Sequence, residues 1–191
     1  MKMSHKNMWA AVPILAIALI LLTSCASLKL DQPSGDKQTV LVLPVLVTNQ
    51  AERAGQHGFY YIYEIVNEDD LAITYEAVIK TPAKGDMLII DTLPPGNYRV
   101  DKFMFKTVGS GDFTYGQNVF PRNDKFKLEW GRITIFSKSL NVRLYNKTPG
   151  RGADTSYSFD LYPVTQEQEE AIRGTLESLP NFEAWRLADS Y

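Results

Sequence analysis

The chain has almost no cysteine and almost no histidine. Its 191 residues include one cysteine, Cys25, and two histidines. A lone cysteine excludes an internal disulfide, so the fold must be held by a hydrophobic core, which a chain of this length can build. A zinc site needs three or four protein ligands, and calcium needs oxygen ligands at a spacing that Asp69-Asp70 and Glu167–Glu170 do not have. The sequence therefore predicts no metal site and no bound cofactor.

Signatures of nucleophilic catalysis are missing as well. His57 lies in the polar, glycine-bearing segment Gln50–Gly58, and no Gly-x-Ser-x-Gly motif marks a nucleophilic serine. A solvated loop histidine is the simpler interpretation of His57, so we predict that the protein is not an enzyme. A hydrolase stays open as an alternative, because the carboxylate pair of a glycoside hydrolase is defined by spatial distance and leaves no sequence motif.

An excess of positive charge is also absent. The chain has 20 lysine and arginine residues against 22 aspartate and glutamate residues, which gives a net charge of −2 at neutral pH. Residues 1–24 contain two lysines and no acid, so their removal would leave a more acidic protein. Nucleic-acid-binding proteins usually carry a basic face, and this balance argues against nucleic acid as a partner.

The apolar segment near the N-terminus is too short to cross a bilayer. It runs from Met8 to Leu22, about 15 residues, and Pro13 interrupts it, whereas a membrane-spanning helix needs about 20 apolar residues. Lys2 and Lys6 precede it, and small polar residues follow it. This order of a positive, an apolar and a small-residue region is typical of a secretory signal peptide, which we predict over residues 1–24.

The signal ends in Leu22-Thr23-Ser24-Cys25, which resembles the lipobox of bacterial lipoproteins. The resemblance implies that a diacylglyceryl group is attached to the sulfur of Cys25, that the preceding peptide is cleaved, and that the new N-terminal amine is acylated. Membrane lipid would then be a partner, since each buried CH₂ of such chains contributes about 0.8 kcal/mol. In that family, residues other than Asp after the cysteine, here Ala26 and Ser27, favour the outer membrane in cells with two membranes.

The remaining chain is predicted to have three parts. Residues 25–38 are rich in Asp, Gln, Pro, Ser and Gly without an apolar period, and predict a flexible tether. Residues 39–163 predict a sandwich of β-strands, and residues 164–191 predict a helical segment packed on that sandwich.

Seven or eight strands are expected between residues 39 and 163. Ile73–Lys80 and Leu140–Tyr145 alternate between apolar and polar residues, which predicts one buried face. Val40–Val47 is almost wholly apolar and predicts a strand buried on both faces, with Pro44 at a sheet edge or a bulge. The pattern favours a mainly-β fold, an antiparallel sandwich of the immunoglobulin or prealbumin type. The other predicted strands are Phe59–Val66, Met87–Leu93, Asn97–Val108, Arg132–Phe136 and Tyr157–Tyr162.

The stretch Leu93-Pro94-Pro95-Gly96-Asn97-Tyr98 separates two of these strands. Pro95 presets the first central position of a type II turn, and Gly96 can supply the positive φ of the second. A strand that ends in Leu-x-Pro-Gly-x-Tyr is similar to the closing hairpin of transthyretin-like and Cna-B-like sandwich domains. The resemblance implies a structural or adhesive module, and it transfers no catalytic site.

The last part of the chain has a helix signal. Thr165 and Gln168 have the spacing of a capping box, and Pro180 predicts the end of the helix. An apolar stripe at helical spacing predicts the buried face, and two aromatic residues beyond it are expected to pack on the sheet. The stripe is Ile172, Leu176 and Leu179, and the aromatic residues are Phe182 and Trp185.

Gly109–Asp124 is the longest stretch without a strand pattern inside the predicted sandwich. It combines glycines with a set of candidate ligand-binding residues: Phe113, Tyr115, Phe120 and Arg122. Exposed aromatic residues stack on sugar rings or anchor protein partners, and long loops on rigid sandwiches often carry function. The opposite interpretation is a loop whose aromatic residues pack back on the core.

Two functions therefore follow from the sequence besides the hydrolase. The first is a lipid-anchored protein of the cell envelope that acts as a non-catalytic structural or interaction module, with an envelope protein or glycan as partner. The alternative is a surface protein that binds carbohydrate or peptidoglycan through the loop 109–124.

Overall fold

The computed structural model describes residues 29–34, 38–49, 58–71, 73–81, 87–108, 114–146 and 155–188. The predicted signal peptide, Cys25, His57 and Phe113 lie outside these residues. Strands and one α-helix make up most of the described part. They are β1 (Thr39–Asn49), β2 (Gly58–Asn67), β3 (Thr74–Thr81), β4 (Met87–Ile90), β5 (Gly96–Val108), β6 (Thr114–Leu128), β7 (Arg132–Ile135), β8 (Lys138–Asn146), β9 (Thr155–Pro163), α1 (Gln166–Glu177) and β10 (Arg186–Leu187), with a 3₁₀ turn at Phe182–Ala184.

The strands form two sheets. The antiparallel sheet has the strand order β3-β2-β5-β6, and the mixed sheet has the order β10-β7-β1-β8-β9, with β4 also paired to β1. In the mixed sheet, β1 runs antiparallel to β4 but parallel to β7 and β8. The β-sandwich with a C-terminal helix is confirmed, and the expectation that all strands pair antiparallel is wrong for the mixed sheet.

A core of apolar side chains lies between the two sheets. Tyr61, Tyr63 and Phe103 of the antiparallel sheet are fully buried in it. The ring of Phe103 stacks with that of Tyr61 at a centroid distance of 6.1 Å and packs edge to face with that of Tyr63 at 5.1 Å. Both arrangements are favourable beyond the area that the rings bury. This aromatic core holds the two sheets face to face.

Strand β1 is buried on both faces from Thr39 to Val45, as its apolar sequence predicts, whereas Leu46 is exposed. Leu41 and Leu43 face the core between the sheets, whereas Val40 and Val42 face the opposite side. That opposite side is covered by the C-terminal segment, so the molecule has three layers. The residues that pack there with β1 include Leu30, Met87, Ile133, Ile172, Leu176 and Trp185.

Pro44 lies at a bulge, one of the two positions that the sequence allowed. Val42 pairs with Ile135 of β7, and Val45 pairs with Leu140 of β8, so the β7–β8 side contains two more residues than β1 over this interval. Pro44 lies within the break, where its missing N–H costs no bond of the ladder to β7 or β8.

The helix α1 begins as its capping box predicts. The backbone N–H of Gln168 donates to Thr165 Oγ1 at 3.2 Å, and the backbone N–H of Thr165 donates to Gln168 Oε1 at 3.1 Å. Ile172 and Leu176 are buried, and Trp185 is 4% exposed. The C-terminal segment therefore packs on the mixed sheet, as expected.

The Pro94-Pro95-Gly96 segment does not close a hairpin. The strand before it, β4, pairs with β1 in the mixed sheet, and the strand after it, β5, belongs to the antiparallel sheet. Gly96 is not among the described residues with positive φ, so the type II turn that was predicted there is also wrong. The segment carries the chain from one sheet to the other.

Tyr98 holds this crossing in place. Its ring is fully buried, and its hydroxyl donates to the backbone oxygen of Pro94 at 2.7 Å. A tyrosine that bonds back to the backbone a few residues upstream stabilises similar corners in other sandwiches. Burial raises the pKa of Tyr98 to about 12, so the phenol stays protonated and remains a donor at neutral pH.

Part of the predicted tether is built into the fold. Leu30 is 1% exposed and packs in the layer beneath the C-terminal segment. The side chain of Asn181 donates to Leu30 O at 3.0 Å, and Trp185 Nε1 donates to Asp31 O at 2.8 Å. The prediction of a flexible tether over residues 25–38 is therefore wrong for 29–34, because one apolar side chain and two backbone oxygens find partners near the end of the chain.

Candidate functional site

The predicted binding loop is largely a strand. Residues 114–124 of Gly109–Asp124 belong to β6, which pairs antiparallel with β5 along most of its length. Two register shifts interrupt this pairing, one between Val100 and Lys102 and one between Lys106 and Thr107. Tyr115 lies in this strand, although its side chain is outside the described part, and Phe113 falls outside it altogether. The prediction of an irregular loop at 114–124 is wrong.

Phe120 contributes to the edge of the core. Its ring lies 5.5 Å from Phe159 of β9 in an edge-to-face arrangement and 6.3 Å from Phe103 of β5. It is 37% exposed. The ring therefore connects the antiparallel sheet with the mixed sheet, and its contacts favour the interpretation that the aromatic residues pack back on the core.

Arg122 also contacts the opposite sheet. Its Nη2 lies 3.5 Å from Asp160 Oδ1 of β9, and two residues further along β6 the carboxylate of Asp124 pairs with the ammonium of Lys138 on β8. Both ion pairs are partly exposed, and such pairs contribute up to about 1 kcal/mol each. Together with Phe120 they form a clasp along the edge where β6 meets β8 and β9.

A buried hydroxyl lies behind this clasp. The side chain of Tyr63 is fully buried, and within the described residues its hydroxyl has no hydrogen-bond partner. Desolvation is the main reason that the pKa of Tyr63 is raised, with smaller opposing effects from Arg122 and Asp124. A phenol whose pKa is raised stays protonated at neutral pH, so Tyr63 is unsuited to act as a general base there.

The outer face of the antiparallel sheet carries charges of both signs. Lys102 Nζ lies 2.7 Å from Glu64 Oε1, and this hydrogen bond is the main reason that the pKa of Lys102 is raised. Lys125 Nζ lies 2.8 Å from Glu68 Oε1. In each pair the two charges are of opposite sign, so these described residues form no patch of a single sign.

A groove of about 440 Å³ lies between α1 and the mixed sheet. Its walls are largely apolar and include Leu46, which is 43% exposed. The polar groups of Thr165 and Gln168 in its wall already bond each other in the capping box. Binding pockets orient a ligand with a few polar groups that point inward, and these two do not serve that purpose.

Metal and membrane features can be assessed only where the structure describes the chain. There, no three side chains of the His, Cys, Asp and Glu types are placed to share a metal ion. In the same residues, no helix has the length and apolar character that crossing a bilayer requires.

The turn that joins β6 to β7 presents an exposed tryptophan that the sequence analysis missed. Trp130 is 67% exposed, and the next residue, Gly131, has a φ of +70°. Large apolar side chains exposed singly are common on protein surfaces. Two further exposed apolar residues, Leu71 at 63% and Ile73 at 37%, lie in the segment that connects β2 and β3. A Trp-Gly pair between two strands is the signal that could have found this turn.

Comparisons with known proteins assign no family to this chain. No protein-family model matches the sequence, and no curated protein matches it significantly. Among solved structures, the chain is similar to a protein from Bacteroides ovatus that is described as a putative cell adhesion protein. The two are 13% identical with a TM-score of 0.27, and the match covers 68% of this chain and 46% of that protein. The chain thus spans less than half of its structural neighbour.

Proposed function

We propose that this chain is a lipid-anchored protein of the cell envelope, with the lipid on Cys25, and that its β-sandwich acts as a non-catalytic structural or interaction module. In a cell with two membranes, Ala26 and Ser27 favour the outer membrane as its location. An envelope protein or a glycan is the expected partner of the module.

One observation carries the anchoring: the chain's single cysteine closes Leu22-Thr23-Ser24-Cys25, directly after an apolar segment preceded by Lys2 and Lys6. A signal peptide places the protein where lipidation of that cysteine occurs. The sulfur of Cys25 has no second cysteine with which to form a disulfide in this chain.

A structural role is supported by how two candidate ligand-binding residues are used. Phe120 and Arg122 contact Phe159 and Asp160 across the two sheets. Both residues therefore contribute to holding the sandwich together. Phe120 and Arg122 lie in a strand and not in an irregular loop. We therefore do not propose that residues 109–124 bind carbohydrate.

Metabolic labelling with palmitate tests the anchor. Wild-type protein should incorporate the label and sediment with membranes, whereas Cys25→Ala should not incorporate the label and should leave an unprocessed or soluble species. Ser24→Ala is the matched control, because alanine is allowed before the cysteine in the lipobox pattern, and it should label like wild type. Incorporation of palmitate into Cys25→Ala, or a free Cys25 thiol and an intact first methionine in the mass of the wild-type protein, would contradict the proposal.

A further inference from the structure

We propose that one end of the sandwich, the Trp130 end, lies against the bilayer to which Cys25 is anchored. We define this end by Gln38, the 68–73 turn, the 129–131 turn and Arg186. The inference rests on the proposed lipidation of Cys25. It adds an orientation of the body and a second, non-covalent contact with lipid.

The chain enters the sandwich at this end. Gln38 is the residue before β1, and its backbone oxygen accepts a hydrogen bond from the backbone N–H of Gly131 at 2.7 Å. The backbone oxygen of Gly131 in turn accepts from the N–H of Arg186 at 3.1 Å. The start of β1, the Trp130 turn and the start of β10 are therefore adjacent.

The distance from the lipid is short. Lys29 is the fourth residue after Cys25, and an extended chain spans at most about 3.6 Å per residue, so about 14 Å separates the two at most. Leu30 and Asp31 are fastened to the body by Asn181 and by Trp185, the residue before Arg186. A body attached this closely cannot move far from the membrane surface, and the surface around its point of attachment is the one brought to the lipid.

The strand register places two turns at the same end. Asn67 of β2 pairs with Tyr98 of β5, and Leu128 of β6 pairs with Gly96 of β5. Strand β5 lies between β2 and β6, and neighbouring strands are about 4.8 Å apart, so the ends of β2 and β6 lie at the same end of the sheet, roughly 10 Å apart. The exposed apolar side chains of both turns thus share the end at which the chain enters.

The chemistry of these side chains fits a lipid interface. Trp130 is 67% exposed and Leu71 is 63% exposed. Tryptophan is enriched where a membrane meets water, because its ring is apolar and its N–H can bond to water or headgroups. Asp69 and Asp70 are exposed in the same turn as Leu71. Because their carboxylates would not attract anionic headgroups, the proposed contact does not depend on anionic lipid. The proposed partner of these side chains is the bilayer that holds Cys25, because the chain itself connects that bilayer to this end of the sandwich.

A fluorescent probe on the full, lipidated protein tests this orientation. Once Cys25 is lipidated, a cysteine introduced at Trp130→Cys is the free thiol that takes the label. Val119→Cys is the matched control, because Val119 is exposed on the same strand, β6, and lies nine residues, roughly 30 Å, before Leu128. The labelled proteins are placed in phosphatidylcholine vesicles that contain a headgroup nitroxide quencher.

We expect the probe at position 130 to be quenched at least about threefold more strongly than the probe at 119, since the 30 Å between them exceeds the reach of contact quenching. Equal quenching at the two positions, or stronger quenching at 119, would overturn the orientation. Disulfide-linked dimers of the unlabelled Trp130→Cys protein on the same vesicles, together with no quenching of the labelled protein, would also overturn it, in favour of a second copy as occupant.

Failure of the anchor is distinguishable from failure of the orientation. Without lipidation, mass analysis of both variants before labelling would find a free Cys25 thiol, and the probe would label Cys25 as well as the introduced cysteine. With lipidation, both variants pellet with the vesicles, and only the ratio of quenching at 130 and 119 decides the orientation. Circular dichroism spectra that match wild type establish that both variants are folded.

Discussion

At the scale of single residues, two glycines allow the cost of a positive φ to be compared with the cost of placing a Cβ close to its neighbours. Gly131 has a φ of +70° with open space around it, whereas an added Cβ at Gly96 would meet Asp69 and Tyr98 at an ordinary 3.4 Å. An L-residue in the left-handed region costs about 1–2 kcal/mol. Gly131→Ala should therefore lower the free energy of unfolding by about 1 kcal/mol or more, as measured by denaturant titration.

Gly96→Ala is the control for that substitution, and we expect its free energy of unfolding to change by less than about 0.5 kcal/mol. Its backbone needs no positive φ, and alanine also reduces the entropy of the unfolded chain. A larger loss for Gly96→Ala than for Gly131→Ala would mean that the turn geometry described here is incorrect.

Residue-level errors of the sequence analysis have a common physical origin. The strongest turn signal in the chain, Pro94-Pro95-Gly96, predicted a positive φ that occurs instead at Gly131. Leu28 and Leu30 are the only large apolar residues between Ala26 and Gln38. They are too few to form a period that would predict the burial of Leu30, which packs in one cluster with Trp185, more than 150 positions away. Conformation that is decided by distant partners is not encoded in a short window of sequence.

At the scale of elements, the packing of β6 decides between two roles for the aromatic residues of 109–124, which are ligand binding and holding the two sheets together. Phe120 faces Phe103 and Phe159, while its neighbour Val119 is 46% exposed. Phe120→Ala should lower the free energy of unfolding by about 2 kcal/mol, less than for a fully buried phenylalanine because the ring is partly exposed. Urea denaturation followed by fluorescence measures this change.

Val119→Ala is the matched control from the same strand, and we expect it to change the free energy of unfolding by less than about 0.5 kcal/mol. If both substitutions left stability unchanged, Phe120 would not be part of the core edge, and the clasp between the sheets would need a different explanation.

Strands with a regular alternation could be predicted, and β6 could not. Ile73–Lys80 corresponds to β3, and Leu140–Tyr145 lies within β8, because one face of each strand is buried and the other is not. In β6, glycine, proline and charged residues obscure the period, and the partner strand β5 contains two register shifts. Pairing with a long neighbour overrides the weak local preference of such a segment.

At the scale of the whole molecule, the fold is a sandwich with a third layer. The apolar sequence of β1 predicted burial on both faces, and this is confirmed by the core between the sheets and by the layer under α1. The parallel pairing of β1 with β7 and β8 was not predictable, because these strands lie about 90 residues apart along the chain. Hydrophobic patterns indicate which faces are buried but not which strands become neighbours.

The third layer should be necessary for a monomeric protein. Ending the chain after Pro163 removes α1 and Trp185 and uncovers Val40, Val42 and Ile133, each of which is 0% exposed in the intact fold. Contiguous apolar surface of this kind drives association. We expect the shortened protein to self-associate in size-exclusion chromatography and to bind a hydrophobic dye, because the remaining described cover of this face, around Leu30, is itself held by Asn181 and Trp185.

The matched control for that deletion ends after Ala188, which keeps α1, Trp185, β10 and the backbone bond from Ala188 to Ile133 O at 2.8 Å. It should elute at the same volume as the full chain, and it should not raise the fluorescence of the hydrophobic dye. If instead the chain ended at Pro163 were monomeric and dye-free with an unchanged melting temperature, the C-terminal segment would be an appendage, and the burial of β1 on both faces would not contribute to stability. The same result would remove the structural reason for fastening Leu30 to the body, because Asn181 and Trp185 belong to that segment.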